Sequence, residues 1–122
     1  MEITPDVVVT LRPDEVFVFG SNAAGRHGGG AARIAHERFG AVWGEGHGHH
    51  GQSYAIDTMS GLDVLAREAR AFVDFATEHP GLRFLLTPVG CGIAGYTPEQ
   101  IAPLFAGLPG NVAVPSSFVP HL

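Results

Sequence analysis

The sequence contains no lysine, so all seven of its Lys and Arg positions are arginine. A lysine nucleophile or Schiff base is therefore excluded, and so is the P-loop, whose lysine contacts nucleotide phosphates. The 12 acidic residues outnumber the arginines and give a formal charge of −5 at pH 7. Because no basic stripe is present, we expect no nonspecific binding to nucleic acid.

Cysteine and long apolar runs are also scarce. The single cysteine, Cys91, cannot form an internal disulfide, which is typical of a reducing compartment. No apolar run approaches the roughly 18–20 residues that cross a bilayer. Residues 1–6 lack the basic start and apolar stretch of a signal peptide. The sequence therefore predicts a cytoplasmic protein without a membrane partner, and 122 residues fit a single domain, 1–122.

Glycine, in contrast, is abundant: the 17 glycines are twice the usual share of about 7%. Many of them lie in residues 20–51 and 90–95, and each cluster begins where a strand-like run stops. Strands are predicted at residues 7–11, 15–19, 53–56, 82–89 and 111–114, and helices at 28–39, 62–79 and 97–107. This alternation favours an α/β fold with a mostly parallel sheet.

The start of the last predicted helix has a recognisable motif. Thr97 is a suitable N-cap, Pro98 fits the first turn, and Gln100 stands three residues after the threonine. This arrangement predicts a capping box, in which the two side chains bind each other's backbone N–H groups.

The two glycine clusters are predicted to bind phosphate. The first, residues 22–30, runs directly into a helix, whose N-terminal N–H groups and partial positive charge attract anions. The second, residues 90–96, follows a buried strand and offers another row of backbone N–H groups. Because ligands of open α/β sheets bind at the carboxyl ends of the strands, both loops are expected at one cleft.

Four stretches of this chain resemble the macrodomain family. Residues 16–22 are similar to the macrodomain strand that ends in asparagine, and residues 22–35 resemble the first phosphate loop. Residues 51–56 resemble the turn and strand before the second helix, and residues 88–96 resemble the second phosphate loop. The motif Pro-x-Gly-Cys-Gly at residues 88–92 is most similar to that of the macrodomain branch that removes ADP-ribose from glutamate or nucleic-acid bases.

The resemblance implies a macrodomain-like three-layer α/β/α sandwich with a mostly parallel mixed sheet and a cleft for ADP-ribose. In that arrangement Asn22 contacts the distal ribose and Tyr96 covers a ribose. Ser116 and Phe118 border the adenine. The diphosphate is approached by the glycine loops, from which we select Gly28, Gly29, Gly30, Gly90, Cys91, Gly92, Ile93, Ala94 and Gly95 as ligand-binding residues. The implied partners are ADP-ribose and ADP-ribosylated protein or nucleic acid, and no cofactor is expected.

The chain departs from the family where hydrolysis is concerned. Ala31 and Ala32 stand where some hydrolytic macrodomains have an aspartate, and Met59 ends a stretch in which the glutamate- and base-directed branch has lysine. Ala94 lies in the region of that branch's second-loop aspartate. Binding of ADP-ribose is therefore the first hypothesis, hydrolysis by unfamiliar groups the second, and binding of another NAD-derived signalling nucleotide the third.

Further polar residues carry open alternatives. His27 either meets a phosphate or shuttles a proton, or else it shapes the loop, and Asp57 either orients a catalytic water or caps a turn. We therefore name both as the candidate catalytic residues. Arg26 either counters a phosphate or is solvated, and Gln52 and Ser53 are candidates for the cleft wall.

Two further groups are interpreted as structural. Cys91 is interpreted as a small packing residue rather than a nucleophile. The histidines at positions 47, 49 and 50 are interpreted as an exposed loop without a metal, because no cysteine pair accompanies them.

Overall fold

The structure, a computed structural model, describes residues 2–122. The strands are Glu15–Ser21 (β1), Gly48–His50 (β2), Ser53–Asp57 (β3), Arg83–Leu86 (β4) and Val112–Ala113 (β5). The helices are Gly30–Arg38 (α1), Leu62–Glu78 (α2) and Pro98–Ile101 (α3), with 3₁₀ helices at Ala102–Phe105 and Ser116–His121. Within residues 2–122, no helix has both the length and the apolar character that a bilayer crossing requires.

The five strands form one mixed sheet in the order β2-β3-β1-β4-β5. Strand β1 pairs in parallel with β3 on one side and β4 on the other, and β5 continues the parallel set beyond β4. Strand β2 is antiparallel to β3 and lies at the edge. The predicted α/β class with a mostly parallel sheet is therefore confirmed. Because β1, β3 and β4 are parallel, their carboxyl ends lie side by side.

The alternation of β1 divides the apolar residues between the two faces of the sheet. Phe17 and Phe19 pack with Ala32 and Ala35 of α1 on one face. Val16, in contrast, packs on the other face with the apolar stripe of α2, which includes Leu65, Phe72 and Val73. The helices thus cover the sheet from both sides, and the loops at the carboxyl ends of the strands remain free.

The capping box at the start of α3 is confirmed. The Gln100 N–H donates to the Thr97 side chain at 3.3 Å, and the Thr97 N–H donates to Gln100 Oε1 at 2.9 Å. The helix then changes to a 3₁₀ helix at Ala102 rather than continuing to residue 107, because Pro103 has no N–H to donate.

Two other predictions about local structure are wrong. Residues 7–11 form no strand, and Val7 and Val9 are 74% and 57% exposed. The strand position beside Val114 is taken instead by Ile3, which forms a parallel bridge to it. Part of the expected histidine-rich loop is strand β2, because residues 48–50 pair with β3 at the open edge of the sheet.

Candidate functional site

A cleft of about 440 Å³ lies at the carboxyl ends of β1, β3 and β4. Its size is within the range of small-molecule sites, about 300–1,000 Å³. The structure brings both glycine loops to it. Asn22, Arg26, Gly29 and Gly30 line it from the first loop. The second loop contributes Gly90, Gly92, Ile93 and Ala94.

The N-terminus of α1 opens into this cleft. The first helical hydrogen bond is donated by the Arg33 N–H to Gly29 O at 3.2 Å, so the N–H groups of Gly30, Ala31 and Ala32 have no partner within residues 2–122. No side chain caps this end of the helix, and its first turn contains no acidic residue. The uncapped end therefore presents free donors and a partial positive charge to whatever occupies the cleft.

The second loop presents donors in the same way. Its closing hydrogen bonds are donated by the Gly95 N–H to Gly92 O at 3.0 Å and by the Tyr96 N–H to Gly90 O at 2.9 Å. Over the described part of the chain, the N–H groups of Gly92, Ile93 and Ala94 make no hydrogen bond. Successive free N–H groups in a turn form a concave site for an anion.

Arg26 is the only charged residue among residues 2–122 that lines the cleft. It forms no ion pair with the rest of the described chain, and its side chain is exposed. Its backbone is held on both sides by the amide of Asn22, which accepts from the Arg26 N–H at 2.9 Å and donates to Arg26 O at 3.0 Å. A protein of net charge −5 therefore has a cleft whose charge is positive.

The Asn22 amide makes contacts within the loop that the resemblance does not imply. Both its oxygen and its nitrogen bind the backbone of Arg26, and this closes the turn at residues 22–26. Asn22 therefore positions the arginine at the cleft.

Sequence reasoning missed the packing that supports the first loop. The turn at residues 22–26 packs closely against the backbone of residues 44–46. A Cβ on Gly46 would overlap the carbonyl oxygen of Asn22, and a Cβ on Gly25 would overlap the backbone of Gly44 and Glu45. The Gly44 N–H donates to Gly25 O at 2.9 Å. The only signal in the sequence is the glycine content of residues 44–51, which does not say what packs there.

His27 lies beneath the first loop and is only 1% exposed. Its Nε2–H donates to Val42 O at 2.8 Å, because a carbonyl can only accept. In the neutral ring Nδ1 then accepts from the Ser21 hydroxyl at 3.3 Å. His27 does not line the cleft and meets it only through Ser21, so the structure places it as a residue that shapes the loop.

Asp57, the second candidate catalytic residue, caps a turn. Its Oδ1 accepts from the Met59 N–H at 3.0 Å, and its Oδ2 accepts from the Ser60 hydroxyl at 2.6 Å. The side chain is buried and does not line the cleft. Because it is buried and does not line the cleft, Asp57 is not positioned to orient a water molecule there.

Cys91 and Tyr96 pack inward beneath the second loop, against the cluster that surrounds α2. Burial raises the pKa of the Cys91 thiol, which disfavours the thiolate that a nucleophile needs. Gly90 has a φ of +78°, and a Cβ there would approach the side chains of Leu65 and Ile101 to 3.2 and 3.3 Å. The loop therefore needs glycine at this position to lie close to the core.

The remaining residues named from the sequence lie outside the cleft. Gln52 immediately precedes β3 and Ser53 begins it, so both lie at the end of the strands opposite the cleft. There the Gln52 side chain donates to Arg12 O at 2.8 Å. Ser116 is exposed at the start of the last 3₁₀ helix, and Phe118 is fully buried against Phe105. Two loop glycines are also not among the lining residues: Gly28 and Gly95.

Nine of the lining residues were not selected from the sequence, among them Thr58, Met59 and Thr87. Thr58 and Met59 follow β3, and Thr87 follows β4, so all three stand at strand ends next to β1. Their position depends on strand order, which the sequence pattern does not determine. Within residues 2–122, no three His, Cys, Asp or Glu side chains converge in a group that could hold a metal ion.

The chain was compared with known proteins. No protein-family model, no curated protein and no solved structure matches it. The site is therefore interpreted from its own geometry.

Proposed function

We propose that this chain is a binding module for ADP-ribose, free or attached to a protein or nucleic acid, and that it forms a three-layer sandwich of the macrodomain kind. One observation carries the proposal: in residues 2–122, free N–H groups of two loops and a single cation, Arg26, surround one cleft of about 440 Å³. A diphosphate accepts hydrogen bonds and is negatively charged, so it complements this surface in both respects.

Binding without catalysis is the better supported form of the proposal. Hydrolysis at the anomeric carbon needs a group that activates water, and the two candidates are engaged elsewhere. Asp57 is buried, caps its own turn with both carboxylate oxygens and does not line the cleft. His27 lies under the loop with both ring nitrogens hydrogen-bonded. Incubation with ADP-ribosylated protein and nucleic acid is expected to release no ADP-ribose, and a release that His27→Ala abolishes would contradict this form.

Titration calorimetry with ADP-ribose tests the proposal through Gly29. This residue has an extended backbone with φ of −157°, and a Cβ there would meet nothing within 4 Å. Gly29→Glu is therefore expected to fold normally while it places a carboxylate in the cleft. Loss of two charge-assisted hydrogen bonds, each worth about 1.5–3 kcal/mol, weakens affinity by about two orders of magnitude or more.

Gly81→Glu is the matched control. It introduces the same charge at another glycine with open space around it, and Gly81 does not line the cleft. It should bind ADP-ribose as the parent does, and both variants should melt within a few degrees of it. Equal affinity of Gly29→Glu and the parent, or no binding by the folded parent, would refute the proposal.

A further inference from the structure

The polar side chains that line the cleft are almost all engaged within the protein. The Thr58 hydroxyl donates to Ser21 O at 3.1 Å, and the Thr87 hydroxyl donates to Val18 O at 2.6 Å. The Ser21 hydroxyl is bonded to His27, and the Asn22 amide is bonded at both ends to Arg26. Of the polar lining side chains in residues 2–122, only that of Arg26 lacks a partner.

The groups that remain without any partner are therefore donors. They are the guanidinium of Arg26 and the backbone N–H groups at residues 30–32 and 92–94. The hydroxyl oxygens of Ser21, Thr58 and Thr87 have donated their hydrogens and keep lone pairs, but they stand at the strand ends, where Ser21 and Thr58 are buried. No Asp or Glu of the described chain lines the cleft. A phosphate accepts hydrogen bonds only, and so it matches such a surface. The exocyclic amine of adenine donates hydrogen bonds, but over residues 2–122 no carboxylate lines the cleft to accept them, and the Asn22 amide is already bound to Arg26.

Two of the lining side chains, Ile93 and Met59, are apolar and exposed, and together they are called the apolar rim. Ile93, at the tip of the second loop, is 94% exposed, and Met59, in the turn after β3, is 49% exposed. Both are large apolar side chains without a covering partner in the described chain. Contact between such side chains and the flat face of a base does not depend on the base, because every base has an apolar face.

From these observations we infer that the cleft selects the ribose-linked diphosphate and does not discriminate the nucleobase. The ligand class is then nucleoside diphosphate riboses with either a purine or a pyrimidine. The diphosphate supplies the affinity, and the base contacts only the apolar rim of Ile93 and Met59. This inference rests on the proposed function and specifies what that site recognises.

Titration calorimetry with three ligands tests the inference. They are ADP-ribose, inosine diphosphate ribose, in which a carbonyl oxygen replaces the exocyclic amine, and UDP-ribose, in which a pyrimidine replaces the purine. We expect the three dissociation constants to agree within tenfold. If the dissociation constant of either substituted ligand differs from that of ADP-ribose by more than tenfold in either direction, the base is read and the inference is wrong. If folded protein binds none of them, the proposed function fails and the inference falls with it.

Two variants of the rim give a second readout. Ile93→Ser and Met59→Ser should weaken all three ligands by a similar factor of a few-fold, since the lost contact is nonpolar. Val119→Ser is the control, because Val119 is similarly exposed, at 43%, and does not line the cleft. A loss confined to one base, or an equal loss in the control, would contradict the role given to the rim.

Discussion

Gly46→Ala tests whether the first loop depends on close backbone packing. The added Cβ would overlap the carbonyl oxygen of Asn22, and it would approach the carbonyl carbon of Asn22 to 3.0 Å and Ala23 O to 3.3 Å. These are backbone atoms, which cannot turn aside as the end of a flexible side chain does. The turn at residues 22–26 must therefore move, and Arg26 moves with it.

The expected cost follows from this overlap. Overpacking that forces a backbone shift typically costs about 1–3 kcal/mol. With a urea dependence of about 1–3 kcal/mol per molar, a loss of about 2 kcal/mol lowers the unfolding midpoint by about 1 M. Displacement of Arg26 removes a charge-assisted contact, which weakens ligand affinity by about tenfold or more.

Urea unfolding and calorimetry with ADP-ribose measure the two effects. Gly28→Ala is the control: Gly28 is in the same loop, but a Cβ there would meet nothing within 4 Å. It should leave the unfolding free energy within about 0.5 kcal/mol of the parent. The reasoning is refuted if Gly46→Ala unfolds and binds like the parent, or if Gly28→Ala is equally damaging.

Three further predictions concern buried groups. His27→Ala should lower the unfolding free energy by about 2–4 kcal/mol, because Ser21 and Val42 lose their buried hydrogen-bond partner. An equal effect of the exposed-site change His121→Ala would contradict this. Burial raises the pKa of Tyr54 to about 12 from 10.0, so its contribution to stability is complete below pH 10 and is lost as the pH rises toward about 12. Between pH 10 and about 12 the urea unfolding midpoint of the parent should therefore fall more than that of Tyr54→Phe. If the two midpoints fall in parallel with pH, Tyr54 makes no such contribution. Because burial raises the pKa of its thiol, Cys91 should react with iodoacetamide at pH 7 much more slowly in the folded protein than in urea. Mass spectrometry measures the two rates, and equal rates would show that the Cys91 thiol is not protected by burial.

The sequence predicted best those elements whose pattern is local. The bounds of α2 differ by one residue from those expected, because Leu65, Phe72 and Val73 mark an apolar face at helical spacing. The capping box of Thr97 and Gln100 needs only neighbours three residues apart. In contrast, residues 7–11 have strand-like composition but no place in the sheet, since pairing depends on distant partners.

The sequence predicted which loops meet at the cleft, and it predicted the directions of individual side chains less well. Both glycine clusters line one cleft because each follows a strand of the parallel set. The direction of a side chain at a strand end is not a property of sequence pattern. Asp57 accepts a hydrogen bond from the Met59 N–H in the turn that follows it, and Asn22 accepts one from the Arg26 N–H. Nearby backbone N–H groups compete in this way for short polar side chains.

The free N–H groups at residues 30–32 and 92–94 belong to the main chain, and this has a consequence for how such a site evolves. Side-chain substitutions at these positions leave the donors in place, provided that the new residue fits and the backbone keeps its course. Two descendants of one ancestor can therefore retain the same set of backbone donors while sharing few identical residues. The positions under constraint are those where added atoms would displace the loops, such as Gly25, Gly46 and Gly90. Homologous sites are then better traced by superposing strand ends and amide directions than by matching residues.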